Sequence, residues 1–207
     1  MRAPRSGPPP APFLANLPWL DFVNTRYVHR EAWVDAIPSP RALADWLVAA
    51  GLAPPGGARA LGALRGKTGG RRVLTEAHGL RARLSELARA LVSATPPPAA
   101  AIEAINRVLR AAPSHQEVHR AGRRFVARAV PAGRDPLALL SPIAESAAAL
   151  LATGTWSRLR ACGNPRCVLY FYDQTRNGHR RFCSAATCGN RVKAARRYQR
   201  LRARQSG

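Results

Sequence analysis

Four cysteines, and only four, stand in the last quarter of the chain as Cys162-x4-Cys167-x15-Cys183-x4-Cys188, and a strongly basic segment, Arg191 to Arg204, follows at once. A divalent metal held by thiolates needs four sulfurs delivered from two short turns, and two close pairs on either side of a hairpin-length spacer deliver them. No cysteine occurs before Cys162. At the N-terminus Arg2 and Arg5 lead into Gly7-Pro8-Pro9-Pro10, which is not the apolar run of a secretory signal. Thiols stay reduced in the cytoplasm, so the expectation is a cytoplasmic protein whose four cysteines hold Zn2+. A redox or iron–sulfur role and unliganded thiols are the competing readings.

The residues around the two pairs predict how such a module is built. Val168-Leu169-Tyr170-Phe171-Tyr172 is β-branched and aromatic, Asp173 to Gly178 is turn chemistry, and Arg180-Arg181-Phe182 leads back to Cys183. That reads as a hairpin joining two metal knuckles. Ser184 is a good N-cap, which puts Cys188 in the first turns of a helix, near the positive end of its dipole, where a thiolate is favoured. Knuckle, hairpin and a helix carrying the last ligand make a treble-clef-like arrangement. Gly189 costs about 1 kcal/mol in a helix relative to alanine, which points to a close backbone approach near the metal. Asn164 and Asn190 either hydrogen-bond around the metal site or simply favour turns.

These stretches resemble a known family. Cys162-Gly163-Asn164, Arg176-Asn177-Gly178-His179-Arg180-Arg181-Phe182-Cys183-Ser184 and above all Cys188-Gly189-Asn190-Arg191-Val192-Lys193 are similar to the CGNR zinc finger. In bacterial proteins that finger follows an ABATE domain, whose opening signature Leu20-Asp21-Phe22-Val23-Asn24-Thr25-Arg26 resembles. The two matches bracket residues 13–204. The resemblance implies a stress-induced transcription regulator and brings no catalytic residues with it.

Charge points the same way by a separate route. The chain carries 33 Lys and Arg against 11 Asp and Glu, a formal +22, and residues 158–207 hold 13 of the cations but a single acid, Asp173. Arg160, Arg166, Arg180 and Arg181 could offset thiolate charge at a metal site; the cations that remain suit a polyanion, with steep salt dependence. A helix after Cys188 places Val192, Ala195, Tyr198 and Leu201 on one stripe, expected to pack on the hairpin aromatics. Arg191, Lys193, Arg196, Arg197, Arg200 and Arg204 then face outward as candidate nucleic-acid contacts. The leading expectation is a regulator that binds double-stranded DNA. The alternative is an RNA-binding or ribosome-associated zinc protein that stacks bases on Tyr170, Tyr172 or Phe182. A solvated basic face in an arginine-rich chain is the plainest reading of the same residues.

The rest of the chain predicts a mainly α fold with a small antiparallel β component (α+β). Residues 1–12 are expected to be disordered, 13–155 to form one helical domain able to fold without the remainder, and 156–204 to form the zinc module with its basic helix. Ser39, Pro40 and Gly51 bracket a first helix with Leu43, Trp46, Leu47 and Ala50 inward. Leu80, Leu84, Leu87 and Leu91 mark a second over about 71–94, and Ile102, Ile105 and Leu109 a third. Residues 116–130 read as a hairpin turning at Ala121-Gly122, and Asp135-Pro136 opens a last helix that Gly154 ends.

No active site assembles. His29, His78, His115, His119 and His179 form no ligand motif, and Gly66-Lys67-Thr68 lacks the spacing of a phosphate loop, so no enzyme is expected. Asp21 and Asn24 either line a pocket for a small-molecule effector or satisfy buried backbone groups. The alanine-rich stretches are too interrupted by charge and proline to span a membrane. Oligomeric state is left open.

Overall fold

A computed structural model describes residues 13–52, 62, 69–132 and 135–205. The tail 1–12 and Gly66-Lys67-Thr68 lie outside them. Helix α1 (Pro18–Val23) is short, begins on a proline, and buries Trp19, Leu20, Phe22 and Val23. It leads into a tight hairpin of β1 (Arg26–His29) and β2 (Ala32–Asp35). Helix α2 (Pro40–Ala49) starts where the Ser39 side chain accepts the Ala42 N–H at 3.2 Å, and stops at Gly51, whose φ of +68° no β-carbon favours. Its Leu43, Trp46 and Leu47 face inward as expected, joined by Ala44, while Ala50 is only half-buried.

Helix α3 (Gly69–Val92) is the axis of the domain. Leu80, Leu84 and Leu87 lose all exposure, and Leu91 nearly all. Helix α4 (Ala99–Ala111) packs on it through Ala101, Ile105 and Val108, so its buried face is turned by about one residue from the Ile102–Ile105–Leu109 stripe. Asp135 caps the next segment by accepting the Leu137 N–H, but Pro136–Leu140 winds as a tighter 3-10 turn and α5 (Ser141–Thr153) restarts at Pro142. Proline lacks the N–H that a continuous helix would need there. Gly154, at φ +65°, ends α5. By length and composition Pro136–Thr153 could cross a membrane. Its Ile143, Ala144 and Ala147 lie in the core of the domain, where it packs against α1 and α4.

Three separate two-stranded antiparallel sheets occur among the described residues. The predicted hairpin is present as β3 (Ser114–Ala121) and β4 (Arg124–Pro131), longer than expected and turning at Gly122. The third sheet differs from expectation. Strand β6 (Tyr170–Tyr172) pairs backward with β5 (Leu159–Ala161), across the first cysteine pair, and residues 180–182 form no strand. A side chain explains the difference: the Asp173 carboxylate accepts the N–H groups of Thr175 and Arg180 at 2.9 and 2.8 Å, folding that return segment into a loop. Beyond it come a π turn (Ala185–Gly189) and helix α6 (Asn190–Gln205).

The zinc module packs into the same hydrophobic core as the N-terminal helices. Phe171 is fully buried beside α1, and Leu159 and Leu169 join the same cluster. Polar ties cross the junction as well. Asn24 donates to the Tyr170 carbonyl at 2.7 Å and accepts its N–H at 3.0 Å, and the Tyr172 N–H reaches the Ala15 carbonyl at 2.8 Å.

One buried ion pair fixes β2 against α3. Arg81, 7% exposed, donates to both Asp35 carboxylate oxygens and to the Thr25 hydroxyl. Burial opposes ionisation of Asp35, but the Arg81 bonds and the Ile37 N–H outweigh it and hold its pKa below the usual carboxylate value. That contribution is present above the unfolded pKa and is lost as pH falls through the folded one. Arg81→Leu should therefore cost about 2–3 kcal/mol near neutral pH, below the 3–5 of a fully enclosed pair because Asp35 keeps a third of its surface. Urea unfolding of the variant should show that loss shrinking in acid; a pH-independent loss would assign the effect to packing.

Candidate metal centre and basic surface

The β5–β6 hairpin carries the first cysteine pair in its turn, where the Cys162 N–H bonds the Leu169 carbonyl at 2.9 Å and the Cys167 N–H bonds that of Asn164 at 2.8 Å. The second pair flanks the start of the last helix. Ser184 accepts the Thr187 N–H, and the Gly189 N–H reaches back to the Ser184 carbonyl at 3.0 Å, a π-type turn that swings Cys188 toward the hairpin. The four thiol sulfurs lie within 4.8 Å of one another.

Their spacing fits a single tetrahedral ion. Sulfurs about 2.3 Å from zinc sit about 3.8 Å apart along the edges of the tetrahedron. Cys167 and Cys183 are 3.8 Å apart, and Cys183 and Cys188 3.6 Å. These separations are far beyond a disulfide bond and too short to enclose a four-iron cluster. The thiols cannot all ionise unaided. The hydrogen bond between the Cys167 and Cys183 sulfurs draws the Cys167 pKa down to about 5, while that same bond and then burial push Cys183 up, and burial pushes Cys162 up. A dication removes the conflict, so the donor set suits Zn2+.

Hydrogen bonds to sulfur come from both side chain and backbone. Asn164 donates through Nδ2 to Cys188 at 3.4 Å while its Oδ1 accepts the Arg166 N–H, so it serves metal and turn together. The Cys183 N–H points at Cys162 Sγ, also at 3.4 Å. Asn190 is exposed at the head of α6 and makes no such bond. Gly189 rests against the Phe182 ring; the close approach belongs to Gly163, where a β-carbon would stand 2.9 Å from the Arg181 carbonyl oxygen. Gly163→Ala should lower the unfolding midpoint, by an amount equivalent to about 1–3 kcal/mol, and speed zinc loss to a chelator. Gly189→Ala serves as the control and should change both far less.

The arginines divide into two groups. Arg158 donates to the carbonyls of Asp173 and Thr175, and Arg160 to that of Gly178. Arg180 lies 4.3 Å over the Phe171 ring and donates to the carbonyls of Leu14, Phe182 and Cys183. These cations hold the loop and its junction. Asp173 is enclosed by the same loop, and the Thr175 hydroxyl first, then backbone N–H groups, keep its pKa low against the opposing effect of burial. It is therefore unavailable to the helix.

The second group faces solvent. Arg191, Lys193, Arg196, Arg197, Arg200 and Arg204 are all exposed on α6, and none pairs with a carboxylate among the described residues. Arg176, His179 and Arg181 border a concavity of about 530 Å³ beside the start of the π turn. Sequence reasoning missed this patch, because only folding of the 173–183 loop separates Arg176 and Arg181 from their structural neighbours. The predicted apolar stripe of α6 does not pack on the hairpin aromatics: Tyr198 and Leu201 are 62% and 48% exposed. The reason is that α1 already covers Phe171.

Asp21 and Asn24 both bond backbone. Asp21 Oδ1 accepts the N–H groups of Leu14 and Ala15 at 2.9 Å each, and Asn24 clamps Tyr170. Neither borders the two cavities described here.

The comparisons with known proteins agree with this architecture. Residues 16–154 match the ABATE family, described as "Putative stress-induced transcription regulator", and residues 158–201 match the CGNR zinc finger. No curated protein matches the chain. The four clustered thiols thus stand in a CGNR zinc finger, placed to hold its zinc, and the chain belongs to the ABATE family.

Proposed function

We propose that the protein regulates transcription by binding double-stranded DNA through its zinc module, with Cys162, Cys167, Cys183 and Cys188 as the zinc ligands and α6 as the main contact. The observation that carries this reading is the outward set of Arg191, Lys193, Arg196, Arg197, Arg200 and Arg204, which pair with no carboxylate among the described residues, on a 16-residue helix that starts beside the four cysteines. Such a helix is about 24 Å long and has the width that a major groove admits. The concavity at Arg176 and Arg181 extends the basic surface at its root and suits a flanking phosphate.

Burial of the aromatics argues for duplex over single-stranded RNA. Phe171 is fully enclosed, and Tyr170, Tyr172 and Phe182 are half-buried, so few ring faces are available to stacked bases. The N-terminal helices then sense a signal or mediate assembly, and no catalytic step is assigned to them. Titrating the zinc-loaded chain with a duplex and a single-stranded RNA of equal length, across a series of salt concentrations, tests the reading. Tighter binding to the duplex with a steep salt slope is expected; preference for RNA would favour the ribosome-associated alternative.

A further inference from the structure

A second cavity, of about 670 Å³, lies where the β1–β2 hairpin, helix α3 and the zinc module meet. Its volume falls within the range of sites that hold small molecules. Its walls combine apolar surface from Val23, Ala82 and Val168 with polar groups from Arg26, Ser85 and Tyr170. The charges are unequal in availability. Asp35 and Arg81 also border the space but are committed to each other, and His78 Nε2 is held by the Ile37 carbonyl at 2.8 Å. Arg26 is exposed, pairs with no carboxylate among the described residues, and is held with its guanidinium 5.1 Å from the centre of the Trp33 ring. An arginine fixed in this way presents its N–H fork to a carboxylate with little further ordering.

The hairpin that supplies Arg26 and Trp33 to the wall is strained at its turn. The hairpin turns on Arg30 and Glu31, at φ +48° and +68°, where a two-residue turn of this hand ordinarily uses asparagine or glycine. Non-glycine residues persist there only when their surroundings hold them, and such strain concentrates at ligand clamps.

We propose that this cavity binds a small amphipathic carboxylate, a flat apolar acid whose carboxylate pairs with Arg26 and whose body lies along Trp33, Ala82 and Val168. Val168 directly follows the zinc ligand Cys167, and the Tyr170 backbone is clamped by Asn24, so an occupant touches both halves of the chain. The binding claim stands apart from the nucleic-acid reading; only an effect of the acid on DNA affinity would rest on that reading.

The test uses 2-naphthoate and its neutral counterpart 2-naphthamide, titrated into the zinc-loaded full chain. The readout is the indole N–H resonance of Trp33, assigned by loss of that signal in Trp33→Phe. Naphthoate should shift the resonance saturably, and naphthamide should bind at least about tenfold more weakly, since it cannot form the charge-assisted pair. Arg26→Gln should weaken naphthoate by a similar factor with the unfolding midpoint unchanged. Ala82→Trp, at an exposed helix position, should fill the space and abolish the shift. Equal affinity for acid and amide, or a naphthoate response indifferent to both substitutions, would place the acid on the general basic surface and overturn the proposal.

Discussion

Cys183→Ser should release zinc and unfold the whole chain at lower temperature, not merely loosen its last fifty residues. Structural zinc supplies about 10–16 kcal/mol of apparent binding free energy in small modules, and residues 162–188 have little regular structure to replace it. Their regular structure consists of a three-residue strand and a π turn. Loss of the metal frees Phe171, whose complete burial covers α1, and removal of one such aromatic from a core typically costs about 3–5 kcal/mol. The bonds of Arg180 to Leu14 and of Asn24 to Tyr170 depend on the same geometry. Elemental analysis should find one zinc in the native chain and almost none in the variant after brief exposure to a chelator. Hydrogen exchange should rise in α1 and α3 as well as in the module. If exchange rose only beyond Leu159 while the helices kept their unfolding midpoint, the two parts would be independent, and the shared core would carry little of the stability.

Local signals were read well from sequence because they act over a few residues. Ser39, Pro40 and Gly51 delimit α2 by capping and left-handed geometry, and the four leucines of α3 repeat at helical spacing. The four cysteines were equally plain, since two close pairs on either side of a hairpin-length spacer can bring four sulfurs to one metal. The β1–β2 hairpin was invisible: four-residue strands give no alternation to count, and Arg30-Glu31 is not a turn sequence. That omission hid the cavity beside it. Long-range pairings were hidden for a different reason. Asn24 meets Tyr170 across 146 positions, and nothing near either residue names the other. The stripe on α6 misled because periodicity reports an apolar face without saying whether its intended partner is already covered.

Exchange of Arg196, Arg197 and Arg200 together for alanine should weaken duplex DNA binding by at least about tenfold and lower the log–log salt slope by about two to three units, because each phosphate contact releases roughly one counterion. The structure sharpens this expectation. All three side chains are exposed and unpaired, and the only acid of the module, Asp173, is enclosed in its own loop, so no internal partner competes with phosphate. Helix α6 packs chiefly on the turn that precedes it, and alanine favours helix, so the change should leave zinc content and unfolding midpoint as they were. Arg176→Ala with Arg181→Ala separates the two basic surfaces: a further loss of slope added to that of the triple variant would place a phosphate in the concavity. Single changes then divide reading from anchoring, because a base contact loses affinity for one sequence while a phosphate contact loses it for all. A triple variant that kept full affinity with zinc bound would remove α6 from the interface, and with it the main reason for assigning the module to DNA.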